Sequence, residues 1–339
     1  MSPKITVFMA AFNAADYISD SIQSILDQTF HDFELLIVND GSTDRTVEVV
    51  ETFHDDRIRL VHNDKNRGLT YTRNVAMTAA RTEFIAILDS DDIAAKNRLE
   101  LQYDFFQQNP TYALCGGHGT IINKKGQAIE NDALTVPVGA DNIKMTLLFE
   151  NTFINSSVMY KTSVLKELGG YQDYAPAEDY ELFVRMAEKY PIGNLDEILV
   201  KYRIHENNIS GLKAETAKLK LKEIKRNQLS YLNIPDHQHM GDLLFSILMC
   251  EFQLYEIAEY RKFFQLLKFT NRKLEKYPLI DFEKMLFEKW FDVLYLKKAK
   301  MNAFPLLFDK NLFKWSYVNG RQLRKIFKLT IKGIGRFSA

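Results

Sequence analysis

Three carboxylates crowd the stretch Asp89-Ser90-Asp91-Asp92, directly after an apolar run over residues 84–88. Like charges at this spacing repel, so something positive must compensate them. A hard divalent cation is one answer, because Mg2+ and Mn2+ prefer oxygen ligands and are often held by one or two carboxylates plus phosphates. Asp89 and Asp91 bracket a single residue, Ser90, so one turn can aim both acids at neighbouring parts of one ligand. Taken alone, the same stretch also describes a solvated turn that caps the next helix.

Other clusters carry complementary chemistry. In "VNDGSTD", Asp40 ends an apolar run, and a carboxylate there can accept from the N–H edge of a uracil or guanine base. Gly41 permits a sharp turn, and Ser42, Thr43 or Asp44 can cap the following helix. In "AFN", Phe12 can stack on a base, a contact worth roughly 1–3 kcal/mol, although a lone aromatic after a strand also suits a core. "NRGLTYTRN" offers Arg67 and Arg73 to phosphates or bases. In "APAEDYELFVRM", Glu178 and Asp179 open a helix, where the helix dipole keeps a carboxylate ionised. That suits a general base for a hydroxyl proton, and equally suits the ordinary preference of acids for helix starts. "KYRIHENNIS" adds His205, a candidate metal or phosphate ligand.

The elements that must position these residues follow from periodicity. Strands are expected at 5–11, 34–38, 58–61 and 84–88, alternating with helices at 17–28, 46–53, 71–80 and 97–108. Repeated strand–helix units predict an α/β fold, Rossmann-like, with a mainly parallel sheet flanked by helices on both faces. Ligands of such sheets bind beyond the carboxyl ends of the strands, where the polar clusters fall. Farther on, the pattern predicts a hairpin around 124–126, a helix at 141–149, a strand at 155–160, and a short helix at 162–168 ended by Gly169 and Gly170. A helix at 179–189 and a strand within 195–203 follow. Composition shifts near residue 212, which separates an expected catalytic domain, 1–211, from a C-terminal α-helical appendage, 212–339.

The chain has 339 residues, 46% apolar and 26% charged, with a formal net charge of zero. The average charge therefore points to no nucleic-acid partner. Cys115 and Cys250 lie far apart, without a CxxC or a Cys/His cluster, which argues against structural zinc and disulfides. Both are expected as buried thiols in a reducing cytoplasm. The N-terminus reads as a first strand rather than a signal peptide. The run "LLFSILMC" falls short of the ~20 residues a membrane-spanning helix needs.

In this order the motifs resemble those of the family 2 glycosyltransferases, inverting enzymes of the GT-A fold. "AFN" resembles their first-strand motif with Phe12 in place of Tyr. "VNDGSTDRT" is similar to VDDGSTD with Asn39 in place of the first Asp. "NRGLTYTRNVAM", "LDSDDIAAKNRLE", "AEDYELFVRM" and "YRIHENNIS" match the remaining segments, with Lys96 where Pro is common. The likeness spans about residues 3–211. It implies that Phe12 and Asp40 hold the base of a nucleotide-sugar donor, usually uracil, that Ala10 and Asn13 belong to the same nucleotide-sugar site, and that Arg67 lies near the base or phosphates. Asp89 and Ser90 would approach the ribose or sugar, and Asp91 would bind Mn2+ or Mg2+ with His205 completing the shell. Asp179 would be the base, with Glu178 beside it. The implied acceptor is a glycan or lipid-linked glycan.

From residue 297 to the end, eleven Lys and Arg residues face a single acid, Asp309, interleaved with aromatic and aliphatic residues. Near 304–339 this pattern predicts a basic amphipathic tail suited to an anionic membrane surface, hence peripheral attachment at the inner face of the plasma membrane. A tail packed on the protein with exposed lysines is the plainer alternative. Two rival functions are a nucleotidyltransferase and a non-catalytic nucleotide-sugar scaffold. The first would show a Gly-rich basic loop after the first strand, which "AAFNAADYI" lacks, and the second leaves Asp91 and Asp179 without a task.

Overall fold

The computed structural model describes residues 3–206, 208, 214–296 and 307–325. It divides into two compact units, one of residues 1–147 and 151–220, the other of 148–150 and 221–339.

In the first unit, β1 (Ile5–Ala11), β2 (Phe33–Asn39), β3 (Ile58–His62) and β4 (Phe84–Ile87) alternate with α1 (Ile18–Leu26), α2 (Thr46–Glu51) and α3 (Leu69–Ala79). Ile5, Val7, Met9 and Ala11 of β1 and Phe33, Leu35 and Ile37 of β2 pack with Ile18, Ile22 and Ile25 of α1 in one core, which supplies the main drive for this half. β1 pairs in parallel with both β2 and β4, and β2 with β3. The register aligns Ala11 with Asn39 and Asn39 with His62, so the loops after these strands start from one sheet edge.

Beyond β4 the regular alternation ends. β5 (Ile93–Ala94) is followed by α4 (Arg98–Gln108), the hairpin β6 (Leu114–Ile122) and β7 (Ala128–Leu134), and α5 (Ala140–Thr146). β8 (Met159–Lys161), α6 (Thr162–Glu167), α7 (Glu178–Lys189) and β9 (Ile192–Arg203) complete the unit. The sheet order is β3-β2-β1-β4-β8-β6-β9-β5, with β7 on β6. β6 and β9 are parallel, while β8 is antiparallel to both neighbours. The strand expected over 155–160 is shorter. Asn155–Ser157 is a 3-10 turn, and pairing starts at Met159, because Asn155 and Ser156 turn toward Asp89.

Helix α8 (Ala214–Tyr231) begins in the first unit, and the second unit takes it up from residue 221 and adds α9 (His237–Leu248), α10 (Ile257–Leu274) and α11 (Leu279–Leu296). Phe263, Phe264, Leu286, Phe287 and Trp290 are fully buried there. α10 begins with a reciprocal capping box between Glu256 and Glu259, a device that satisfies two otherwise orphaned N–H groups. Cys115 is buried as expected, but Cys250 is exposed. It lies just past α9 with φ +55, where the chain leaves the helix and turns away from its apolar face. Among the described residues no helix is long and apolar enough to cross a membrane. Of the basic stretch near 304–339, residues 304–306 and 326–339 lie outside the described residues.

Candidate active site

The loops after β1 and β2 are locked together. Asn13, with φ +51, accepts from the Thr43 N–H at 2.9 Å and donates its own N–H to Ser42 Oγ at 3.1 Å. Gly41 has φ +72, and a Cβ there would sit 2.6 Å from the Asn66 nitrogen. This close approach brings the 63–68 loop onto Asp40. Asp40 Oδ1 accepts from Asn63 Nδ2 at 2.7 Å and Arg67 N–H at 2.9 Å, and Oδ2 accepts from Gly68 N–H at 2.9 Å. A carboxylate has about four acceptor positions, so one remains for a ligand. Phe12 is 47% exposed, an open face beside these loops. Ala10 pairs with Val38 on the β1–β2 ladder, one turn of the pleat before Phe12. The Arg67 guanidinium is engaged by Asp64 at 2.9 Å and lies over the Tyr71 ring.

The acidic turn after β4 is positioned by a two-residue strand. β5 pairs antiparallel with β9, Ile93 opposite Lys201. Continuing that register sets Asp91 against Arg203 and draws His205 toward the same turn. His205 Nε2 lies 2.9 Å from Asp91 Oδ2. Arg203, almost wholly buried, donates its N–H to Asp92 Oδ1 at 2.8 Å and its Nε–H to the Asp91 carbonyl at 2.6 Å. It also reaches Asp20 at 3.1 Å and lies over Tyr17, whose ring stacks on His205 at 4.7 Å. Burial and the charge of Asp89 push the Asp91 carboxyl above its usual range, against the pull of His205. Burial, then Asp91 and Asp89, push Asp92 up further. A second buried cation, Arg98, sits behind the turn and donates to the Ile87 carbonyl at 2.7 Å.

This answers which positive groups offset the acids, and it leaves Asp91 short of compensation. The donor set suits a hard cation. Two ligands cis to each other at bond lengths of ~2.0–2.1 Å stand about 3 Å apart, close to the Asp91–His205 separation. Among the described residues no group of three or more His, Cys, Asp or Glu that could hold a metal ion is present.

Asp89 accepts from Ser156 Oγ at 2.9 Å and lies 3.4 Å from Asn155 Nδ2. Ser90 is half-buried in the same turn. Asp179 stands at the start of α7, where burial and neighbouring Glu178 push its carboxyl up to about 6 against the pull of Arg73. Arg73, expected at a phosphate or base, is instead buried and donates to Glu178 Oε1 at 2.6 Å. The apolar packing of α3 against the sheet turns it inward, and the pair fixes Glu178 beside Asp179. Residues that sequence reasoning left unassigned are Asn155, Ser156, Arg203 and Tyr17. Only Arg203 carried a signal, as the cation two residues before His205 within YRIHENNIS.

Residues 6–169 match the family described as Glycosyl transferase family 2. An uncharacterized glycosyltransferase of Haemophilus influenzae is 30% identical over 239 residues, 68% of this chain and 74% of that protein. The Escherichia coli UDP-Glc:alpha-D-GlcNAc-diphosphoundecaprenol beta-1,3-glucosyltransferase WfgD is 32% identical over 224 residues, 66% of this chain and 83% of that protein. Among solved structures, S. aureus TarS 1-349 in complex with UDP-GlcNAc has a TM-score of 0.57 at 19% identity, covering 90% of this chain and 89% of that one.

Proposed function

The chain belongs to glycosyl transferase family 2 and is a glycosyltransferase, and from that premise we propose that it moves a sugar from a UDP-linked donor to an acceptor hydroxyl, with inversion. The carrying observation is that Asp91 and His205, 2.9 Å apart, belong to the same compact unit as Asp179, which opens α7 beside the Glu178 that Arg73 holds at 2.6 Å. The first two belong to the donor and the third to the acceptor.

Residues 1–211 form the catalytic domain in this reading. Phe12 stacks on the base, and Ala10, Asn13 and Asp40 line its edge, with Arg67 toward the phosphates. Asp89 and Ser90 meet the ribose or the sugar. Asp91 and His205 hold Mn2+ or Mg2+, which when bound neutralises charge on the departing diphosphate. Asp179, ionised above about pH 6, takes the acceptor hydroxyl proton as the new C–O bond forms. Glu178, fixed by Arg73, orients the acceptor or donor sugar. Attack from the face opposite the leaving group inverts the anomeric carbon without a covalent enzyme intermediate.

The UDP donor and a lipid-linked glycan acceptor in surface polysaccharide synthesis are supported by what WfgD and TarS bind or act on by name. Such an acceptor also accords with peripheral attachment of the basic tail near 304–339, at the end of the helical C-terminal region 212–339, to the inner face of the plasma membrane. A panel of nucleotide sugars assayed for hydrolysis with and without Mn2+ tests the assignment. Wild type is expected to hydrolyse one donor in a Mn2+-dependent manner, with Asp91→Ala and Asp179→Asn strongly impaired. Equal rates in all three proteins overturn the assigned roles.

A further inference from the structure

Two buried carboxylates pin the segment 307–317 within the helical unit. Asp309 accepts from Arg261 Nε at 2.7 Å and from the Asn311 and Leu312 N–H groups at 2.9 and 3.1 Å. Glu283 of α11 accepts from Arg272 Nε at 2.8 Å, Lys314 Nζ at 3.1 Å and the Tyr317 hydroxyl at 3.0 Å, and pairs with Lys268 at 3.0 Å. Burial alone would raise Glu283, but the Lys268, Arg272, Lys314 and Tyr317 bonds outweigh it and hold it at about 2. One carboxylate among these cations leaves a positive surplus, and Arg272 and Lys314 are each 51% exposed.

The surface around this surplus is apolar. Trp315, next to Lys314, is 67% exposed, and Phe269, next to Lys268, is 68% exposed. Ile280, one helical turn before Glu283, is 70% exposed. Trp315 also stands in an aromatic cluster with Phe308 and Phe313, at 6.0 and 5.1 Å between ring centres. Arg272 and Lys314 both reach Glu283. Phe269 lies one helical turn before Arg272, and Lys310 is exposed near Lys314 in the chain. Exposed large apolar groups beside such cations mark an interaction site. Aromatic and aliphatic groups ringed by Lys and Arg fit a headgroup–hydrocarbon boundary of negative charge. Ile280 has no π-face to stack on a base, which favours hydrocarbon over nucleic acid.

We infer that this surface docks on an anionic lipid bilayer, with Trp315, Phe269 and Ile280 entering the headgroup boundary and Arg272, Lys310 and Lys314 lying against lipid phosphates. The inference rests on the membrane reading above and places the contact on residues 310–315 of the basic stretch together with α10 and α11, rather than on the terminal residues 326–339.

Vesicle flotation of the full chain tests it, with phosphatidylglycerol–phosphatidylcholine vesicles set against phosphatidylcholine alone. Wild type is expected to float with the anionic vesicles only. Phe269→Ser combined with Trp315→Ser should lower that partition at least roughly tenfold, with an unchanged far-UV circular dichroism spectrum and unchanged donor hydrolysis in solution. A full-length Lys328→Ala, Lys332→Ala, Arg336→Ala variant reads the terminal stretch separately. If that variant loses binding while the aromatic pair of substitutions leaves it intact, the surface inference fails and the terminal reading survives. Wild type that ignores anionic vesicles, or binds neutral ones equally, overturns both. Donor hydrolysis, measured without vesicles, reports on the enzymatic reading independently.

Discussion

Asp179 combines two properties that a general base needs, a pKa near working pH and a position at the mouth of a helix. Burial raises its carboxyl to about 6, Glu178 adds to this, and Arg73 limits the rise. The catalytic limb that depends on ionised Asp179 should therefore climb with pH and level off above about 6, read as log(kcat/KM) against pH. Because the folded pKa lies above the unfolded value, ionising Asp179 opposes the fold, and the stabilisation of its neutral form is lost as pH rises through about 6. Asp179→Asn should thus raise stability at pH 7.5 by about 1–3 kcal/mol and change it little at pH 4. Chemical denaturation at the two pH values checks this. Loss of stability at pH 7.5 would mean that the carboxylate is structurally required.

At the scale of elements, the site depends on pairings that are too short to leave a pattern. β5 has two residues, yet its register against β9 delivers His205 to Asp91. Arg203 then clamps the Asp91–Asp92 turn from behind. Residues behind metal ligands typically contribute 10–100-fold in affinity, so Arg203→Lys should weaken Mn2+ binding by roughly that factor, measured by calorimetry. Gly41 has the same importance for the nucleotide end. A Cβ there meets the 65–66 backbone, and φ is +72. Gly41→Ala should cost about 1–3 kcal/mol and loosen the Asp40 bonds to Arg67 and Gly68, seen as a lowered melting temperature and weaker UDP binding.

The same contrast explains what was readable in the chain. Strands β1 to β4 and helices α1, α3, α4 and α7 announce themselves by apolar period, and the polar residues after them by type. Asp40, Asp89, Asp91 and Asp179 needed no coordinates to be singled out. The inward turn of Arg73 did need them, since nothing local distinguishes an arginine that meets Glu178 from one that meets phosphate. Asn155 and Ser156 were hidden because a 3-10 turn carries no period, and their task is set by Asp89, far away in sequence. Cys250 was misread because its neighbours are apolar while its backbone has already left the helix.

For the whole molecule, the α/β unit holds the acidic turn, the loops proposed to bind the base and Asp179, while the helical unit holds the cationic aromatic surface. The division of labour predicts separable defects, in turnover for one set of substitutions and in lipid partition for the other. The central claim is that Asp91 with His205 and Asp179 serve one donor–acceptor complex in different steps. Its most direct test measures donor affinity and single-turnover transfer separately in wild type, Asp91→Asn and Asp179→Asn, each with and without Mn2+. The account predicts that Asp91→Asn abolishes the Mn2+-dependent part of donor affinity. Asp179→Asn should bind donor as wild type does and lose turnover by roughly 100–10,000-fold. Wild-type turnover in Asp179→Asn, or Mn2+-dependent donor affinity that survives in Asp91→Asn, would contradict it.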